Sequence, residues 1–187
     1  IGRSHRAADI VRAYDLARGV GGLAVNMDLI AGLPGDDRAG FAETLRRVRA
    51  MAPENVTVHT LALKRGARLR QEDQDRPDGA AVRQMLDAAW ADLRADGYVP
   101  YYLYRQKFTA GALENVGWCR PGTRNEYNIC MMEELHPVLS LGAGGVTKAV
   151  GAGCVRRLAN PKYPQEYLRD LPRILREKEQ LATFLSP

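Results

Sequence analysis

Long apolar runs are missing from this chain. Nowhere in its 187 residues does an uncharged hydrophobic stretch approach the ~20 residues that span a bilayer, and no secretory leader opens it. Cysteine is scarce: Cys119, Cys130 and Cys154 are odd in number and far apart. That excludes the disulfide framework of a small secreted protein, matches no zinc spacing, and leads us to expect a reducing cytoplasmic setting. Charge of one sign is not in excess either. The 27 basic and 22 acidic residues leave a net charge of +5, with the two signs interspersed, so a solvated surface is expected rather than a nucleic-acid stripe. Neither nucleic acid nor membrane is an expected partner. An initiator methionine is also lacking, and the chain reads as a piece of something longer. What is present, 45% hydrophobic and 26% charged residues, is the composition of a soluble globular protein. A chain of this length buries roughly 70% of its unfolded surface.

Punctuation by glycine and proline divides the chain. Residues 5–18 carry Ile10, Ala13, Tyr14 and Ala17 at helical spacing after a Ser4 cap, and Gly19, Gly21 and Gly22 end the helix. Residues 23–30 are too short for a helix and read as a strand. A second helix presents Phe41, Leu45, Val48 and Met51 on one face and stops before Pro53. "NVTVHTLAL", residues 55–63, is a β-branched strand. Helix, strand, helix, strand with short connections predicts parallel strands with helices packed outside. A polar loop over 70–79 precedes a strong amphipathic helix with Val82, Met85, Leu86, Ala89 and Leu93 on its apolar side. From Tyr98 the texture is β-richer: aromatic "YVPYYLYRQKF", turn-rich "ENVGWCRPGTRNEYN", a glycine-interrupted strand in "VLSLGAGGVTKAV", then strand and helix, with Pro172 preceding a last helix. We place a domain boundary near 96–97, giving domains 1–96 and 97–187.

The stretch "VNMDLIAGLPGD", residues 25–36, carries the first chemical signal. In a strand Asn26, Asp28 and Ile30 share one face while Val25, Met27 and Leu29 share the other, which suits packing under the helices. Two polar groups are thus directed inward. A buried carboxylate requires a partner, and in parallel α/β folds ligands gather at the carboxyl ends of strands, where Asp28 and the Gly32 turn are expected. Gly32 and Gly35 permit close backbone approach and Pro34 stiffens the turn. The residues alone leave two readings open: a ligand contact, or a carboxylate that caps the turn or pairs with an arginine.

Five blocks in order narrow the choice: "IGRSH", "NMDLIAGLPGD", "ENVTVHTLALKRGARL", "YYLYRQKFTAGALENVGWCRPGTRNEYN" and "LGAGGVTK". Together they resemble the oxygen-independent coproporphyrinogen III dehydrogenases (oxidases) of the radical S-adenosylmethionine superfamily, over nearly the whole chain. The resemblance implies an α/β fold: the second half of a partial (β/α)6 barrel, then a smaller α+β carboxy-terminal domain. It implies S-adenosylmethionine and a [4Fe-4S] cluster as cofactors, an electron donor that the residues do not identify, and a tetrapyrrole substrate. In such enzymes an electron from the cluster cleaves S-adenosylmethionine to a 5′-deoxyadenosyl radical, which initiates oxidative decarboxylation of two propionates in haem biosynthesis. By the same resemblance Arg3 and Asp28 match positions that contact S-adenosylmethionine. Ala62 and Val146 match positions that touch it through backbone and apolar surface, and core packing accounts for these two equally well.

One departure stands out. The family's CxxxCxxC cluster motif is absent, and the three cysteines have other spacings, so no metal ligand is expected here. The resemblance places the cluster ligands upstream, and the 187 residues alone are expected to be inactive. His59, between Val58 and Thr60, reads as a packed histidine rather than a metal ligand. Tyr101, Tyr102 and Tyr104 with Arg105 and Lys107 either line a pocket for a carboxylate-bearing macrocycle or form an aromatic core strand under solvated charges. A haem chaperone of the same superfamily branch is the main functional alternative, and a generic α/β ligand-binding module the third.

Overall fold

The computed structural model describes residues 4–62, 78–105, 109–151 and 154–183. These form two compact units, Ile1–Asn125 and Glu126–Pro187. The first contains α1 (Ala7–Val20), β1 (Asn26–Ala31), α2 (Arg38–Met51), β2 (Asn55–Thr60), α3 (Gly79–Ala95), β3 (Val99–Arg105) and β4 (Glu114–Cys119). The second contains α4 (Glu126–Met132), β5 (Val146–Gly151), β6 (Cys154–Ala159), α5 (Pro164–Arg169) and α6 (Leu171–Thr183). Among the described residues no helix is long and apolar enough to cross a membrane.

A four-stranded sheet in the order β1-β2-β4-β3 organises the first unit. β1 and β2 are parallel, as their helix-bearing connection requires, with Asp28 opposite Thr57 and Ile30 opposite His59. β4 then runs antiparallel to β2 and to β3, so the sheet is mixed. Position 96–97 lies inside this unit, between α3 and β3, because β3 joins the same sheet through β4. Strand β4 falls in a stretch whose glycine and flanking turn residues made it read as turn-rich.

The helices start where their side chains satisfy free backbone donors. Asp37 caps α2 by accepting from Gly40 N at 2.8 Å, and Asp78 caps α3 by accepting from Ala81 N at 2.7 Å. On α1 it is Asp9, not Ser4, that secures the first turn, its carboxylate accepting from Arg6 N at 2.9 Å. One face of the sheet is dry. Leu29, Ala31, Val56, Val58 and Trp118 meet Phe41, Leu45 and Val48 of α2 and Val82, Met85, Ala89 and Leu93 of α3, all buried. Each large side chain there contributes about 1.5–3 kcal/mol, and Leu45→Ala would cost about 2–5 kcal/mol. Arg49 clamps the two helices together, Nε and Nη2 donating to both oxygens of Asp96 at 2.6 and 2.8 Å and Nη1 to Asp92 at 2.7 Å.

Helix α1 is tied mainly by polar groups. Tyr14 OH donates to Met51 O, and Arg18 donates to Tyr14 OH and to Glu54, whose other oxygen accepts from Val25 N at the start of β1. In the second unit β5 and β6 form an antiparallel hairpin, and Ile174 of α6 is buried. The "LGAGG" segment before β5 turns on Gly142 and Gly144, both with positive φ (85° and 73°) that favours glycine. Asn160 Nδ2 closes that turn by donating to Gly142 O at 2.7 Å.

Candidate functional site

The other face of the four-stranded sheet is polar and aromatic. Exposure alternates along β1, with Asn26, Asp28 and Ile30 exposed and Leu29 and Ala31 buried, so the Asp28 face is the one turned away from α2 and α3. Asp28 is the third residue of β1, not a residue at its end, and its side chain is 61% exposed. The buried carboxylate that strand position alone suggested is therefore an accessible one.

Pairing places a row of residues across all four strands: Asp28, Thr57, Gly117 and Tyr102. Asn26 Nδ2 donates to Asp28 Oδ1 at 2.6 Å, and Thr57 Oγ1 donates to Asn26 Oδ1 at 3.1 Å. Thr57 has one hydroxyl proton, so at the 3.3 Å contact between Thr57 and Tyr102 it is the tyrosine that donates. A Cβ built on Gly117 would stand 1.9 Å from Tyr102 Cε1, so only glycine lets the Tyr102 ring lie across β4. Tyr104 stacks on Tyr102 with centroids 6.3 Å apart and planes 8° apart, and Tyr101 meets Tyr102 edge-on at 4.7 Å.

A second row completes the site. His59 Nδ1 and Tyr104 OH are 2.9 Å apart, and His59 Nε2 lies 3.7 Å from Asp28 Oδ1. His59 holds the Asp28 carboxyl below the usual carboxylate range, Asn26 adds to this, and desolvation opposes both. Burial, with a smaller contribution from the Asp28 charge, pushes the Tyr102 phenol up. Asp28 is thus an ionised acceptor beside an aromatic surface, able to receive hydroxyl or ammonium donors.

Of the residues expected from sequence, Asp28 is central to this face. Ala62 is half-buried two residues past β2, bridged to Thr109; Leu61 N donates to Ala31 O at 3.0 Å, so the carboxyl ends of β1 and β2 meet there. Val146 opens β5 in the second unit, opposite Ala159, and is 42% exposed. Arg3 and Lys107 lie outside the described residues, as do the 70–77 loop and the Arg105 side chain. Sequence reasoning missed Thr57 and Gly117. For Gly117 a signal existed, since an isolated glycine inside a strand marks a close approach.

Among the described residues no three His, Cys, Asp or Glu side chains group to hold an ion. Cys119 is buried in β4 with its thiol pushed up by burial, Cys130 is half-buried and Cys154 exposed, and all three are free. They do not fit an iron–sulfur cluster.

No protein-family model matches the chain. The oxygen-independent coproporphyrinogen-III oxidase-like protein HemZ of Bacillus subtilis is 41% identical over 171 residues, covering 89% of this chain and 34% of the relative. Heme chaperone HemW of Haemophilus influenzae is 24% identical over 170 residues, covering 90% of this chain and 41% of the relative. Among solved structures, the radical SAM enzyme coproporphyrinogen III oxidase (HemN) of Escherichia coli superposes with a TM-score of 0.66 at 20% identity, over 92% of this chain and 39% of that one. This chain therefore spans 34% to 41% of the length of these proteins. Its α/β fold is similar to part of HemN, and its sequence is similar to about a third of the oxygen-independent coproporphyrinogen-III oxidase-like protein HemZ.

Proposed function

We propose that this chain is the later part of a radical S-adenosylmethionine protein that oxidatively decarboxylates coproporphyrinogen III to protoporphyrinogen IX. Residues 1–96 are read as the second half of a partial (β/α)6 barrel and 97–187 as the appended domain, with β3 and β4 extending the barrel-derived sheet. The observation that carries the reading is the Asp28 row on the parallel pair β1/β2, an exposed, ionised carboxylate flanked by stacked tyrosines. These residues fit S-adenosylmethionine: Asp28 accepts from its ribose hydroxyls or ammonium, and Arg3, Ala62 and Val146 are proposed as further contacts. When bound with a [4Fe-4S] cluster, that cofactor supplies hydrogen-abstracting radical chemistry. The chain's own share is to bind, orient and exclude competitors. The cluster is assigned to sequence outside this chain, because the three cysteines here do not fit it.

In a protein that carries both this segment and a CxxxCxxC motif, Asp28→Asn is expected to weaken S-adenosylmethionine binding by about 1.5–3 kcal/mol while folding and iron content stay unchanged. Equal affinity would reject the role of Asp28. Coproporphyrinogen III turnover by the same protein tests the activity. Haem transfer without turnover would instead favour the chaperone reading that the HemW similarity raises. The 187-residue chain alone, reconstituted anaerobically with iron and sulfide, is expected to take up no stoichiometric cluster and to release no 5′-deoxyadenosine.

A further inference from the structure

We infer that His59 is a positioning residue for Asp28, held in its working orientation by Tyr104. The inference rests on Asp28 as the ligand contact and adds the two residues that act through it. Geometry sets the direction of the chain. An ionised carboxylate only accepts, so at 3.7 Å, within ion-pair reach though beyond hydrogen-bond length, its field favours a proton on the facing His59 Nε2. In the neutral ring Nδ1 is then an acceptor, and the partner at 2.9 Å is a phenol that donates. The proposed order is Tyr104 O–H donating to Nδ1, with Nε2–H facing Asp28 across 3.7 Å. Tyr104 thereby selects the tautomer whose proton faces the carboxylate.

The sheet explains why these three meet. Ile30 is the register partner of His59 on β1, and the parallel pairing brings His59 beside the strand that carries Asp28. Tyr104 is two strands away, opposite Asn115, yet its ring is steered toward β2 by stacking on Tyr102, which Gly117 allows to lie flat. His59 is only 24% exposed, so its ring has little room to turn, whereas Asp28 is 61% exposed. Asn26 and His59 both engage Oδ1. The carboxylate is thus oriented from one side while it stays open to the solvent side, where a ligand's hydroxyl or ammonium would approach. The titratable described groups that meet this cluster are Asp28, His59, Tyr102 and Tyr104, with Tyr101 edge-on to Tyr102 and buried Cys119 two residues beyond Gly117 on β4.

The test uses His59→Leu, His59→Gln, Tyr104→Phe and Asp28→Asn in the full chain, each checked for native folding by circular dichroism. The first readout needs no ligand. Nitrogen NMR of wild type should show a single His59 tautomer with the proton on Nε2, and Tyr104→Phe should give a mixture. Carbon-detected titration of Asp28 should move up toward the ordinary carboxylate range in His59→Leu and return in His59→Gln, whose amide N–H takes the place of Nε2–H. The second readout is calorimetric affinity for S-adenosylmethionine in the cluster-bearing protein. Tyr104→Phe should lower it about threefold to tenfold, the size of one hydrogen bond, and should have no further effect in the Asp28→Asn background. An unchanged Asp28 titration in His59→Leu, or equal losses from Tyr104→Phe with and without Asp28, would overturn the inference. An affinity insensitive to Asp28→Asn alone would remove the ligand role of Asp28, while the titration readout would still decide whether His59 positions it.

Discussion

Gly117→Ala offers a direct test of how the aromatic surface beside Asp28 is built. The new methyl would stand 1.9, 2.4 and 2.6 Å from Tyr102 Cε1, Cδ1 and Cζ, so the ring must swing away. Displacement forfeits the Tyr102–Thr57 hydrogen bond, worth about 1 kcal/mol. It also forfeits the stack on Tyr104, worth about 0.5–1.5 kcal/mol. Against this, the extended backbone of Gly117 accepts any residue, and replacing glycine within a strand returns roughly 0.5–1 kcal/mol of backbone entropy. The net expectation is a destabilisation of about 1 kcal/mol with Tyr102 present. In a Tyr102→Ala background the three atoms nearest the new methyl are gone, so Gly117→Ala should stabilise, by about 0.5–1 kcal/mol. The sign reverses between backgrounds. Equilibrium guanidinium unfolding of the four proteins measures it, with near-ultraviolet dichroism reporting the tyrosine stack and unchanged m-values confirming a shared unfolded state. The same sign in both backgrounds would refute the claim that Gly117 exists to admit Tyr102.

Further outcomes follow from other parts of the first unit and from the cysteines. Asn115 is fully buried and its Oδ1 accepts from Thr60 N at 2.5 Å, beyond the last β2–β4 register pair, so Asn115→Ala should cost about 1–3 kcal/mol and sharply speed hydrogen exchange at the Thr60 amide; unchanged exchange would exclude this bond. Arg49 holds the Asp96 carboxyl below its ordinary value of 3.8, and Asp96→Asn should cost about 1 kcal/mol at neutral pH after allowance for partial exposure. Because the folded state has the lower pKa, this contribution is complete above about 4 and disappears as pH falls through the folded value, so acid unfolding curves of wild type and variant should converge; a gap that persists at low pH would point to packing instead. Alkylation followed by mass spectrometry should modify exposed Cys154 first and buried Cys119 last; early labelling of Cys119 would contradict its burial in β4.

Local sequence determined much of this protein. The 3.6-residue spacing of Phe41, Leu45 and Val48, and of Val82, Met85, Ala89 and Leu93, is a property of neighbours along the chain, and those residues form the helical side of the core. Alternation in β1 likewise separated Leu29 from Asp28, and the short connection through α2 required β1 and β2 to be parallel. The HemZ-like similarity was also legible, because it resides in ordered blocks of residues. Pairing of distant strands was not. No local pattern tells that β4 inserts between β2 and β3, since register depends on pairs 9 to 20 positions apart for β3 and β4 and 58 to 64 apart for β2 and β4. The consequences are those that build the site: Thr57 and Tyr102 meet across β4 because Gly117 has no side chain, and His59, which sequence read as merely packed, stands between Tyr104 and Asp28. The exposure of Asp28 belongs to the same class. Whether a strand's polar face is covered is decided by where helices pack, and here α2 and α3 take the apolar face and leave the carboxylate accessible.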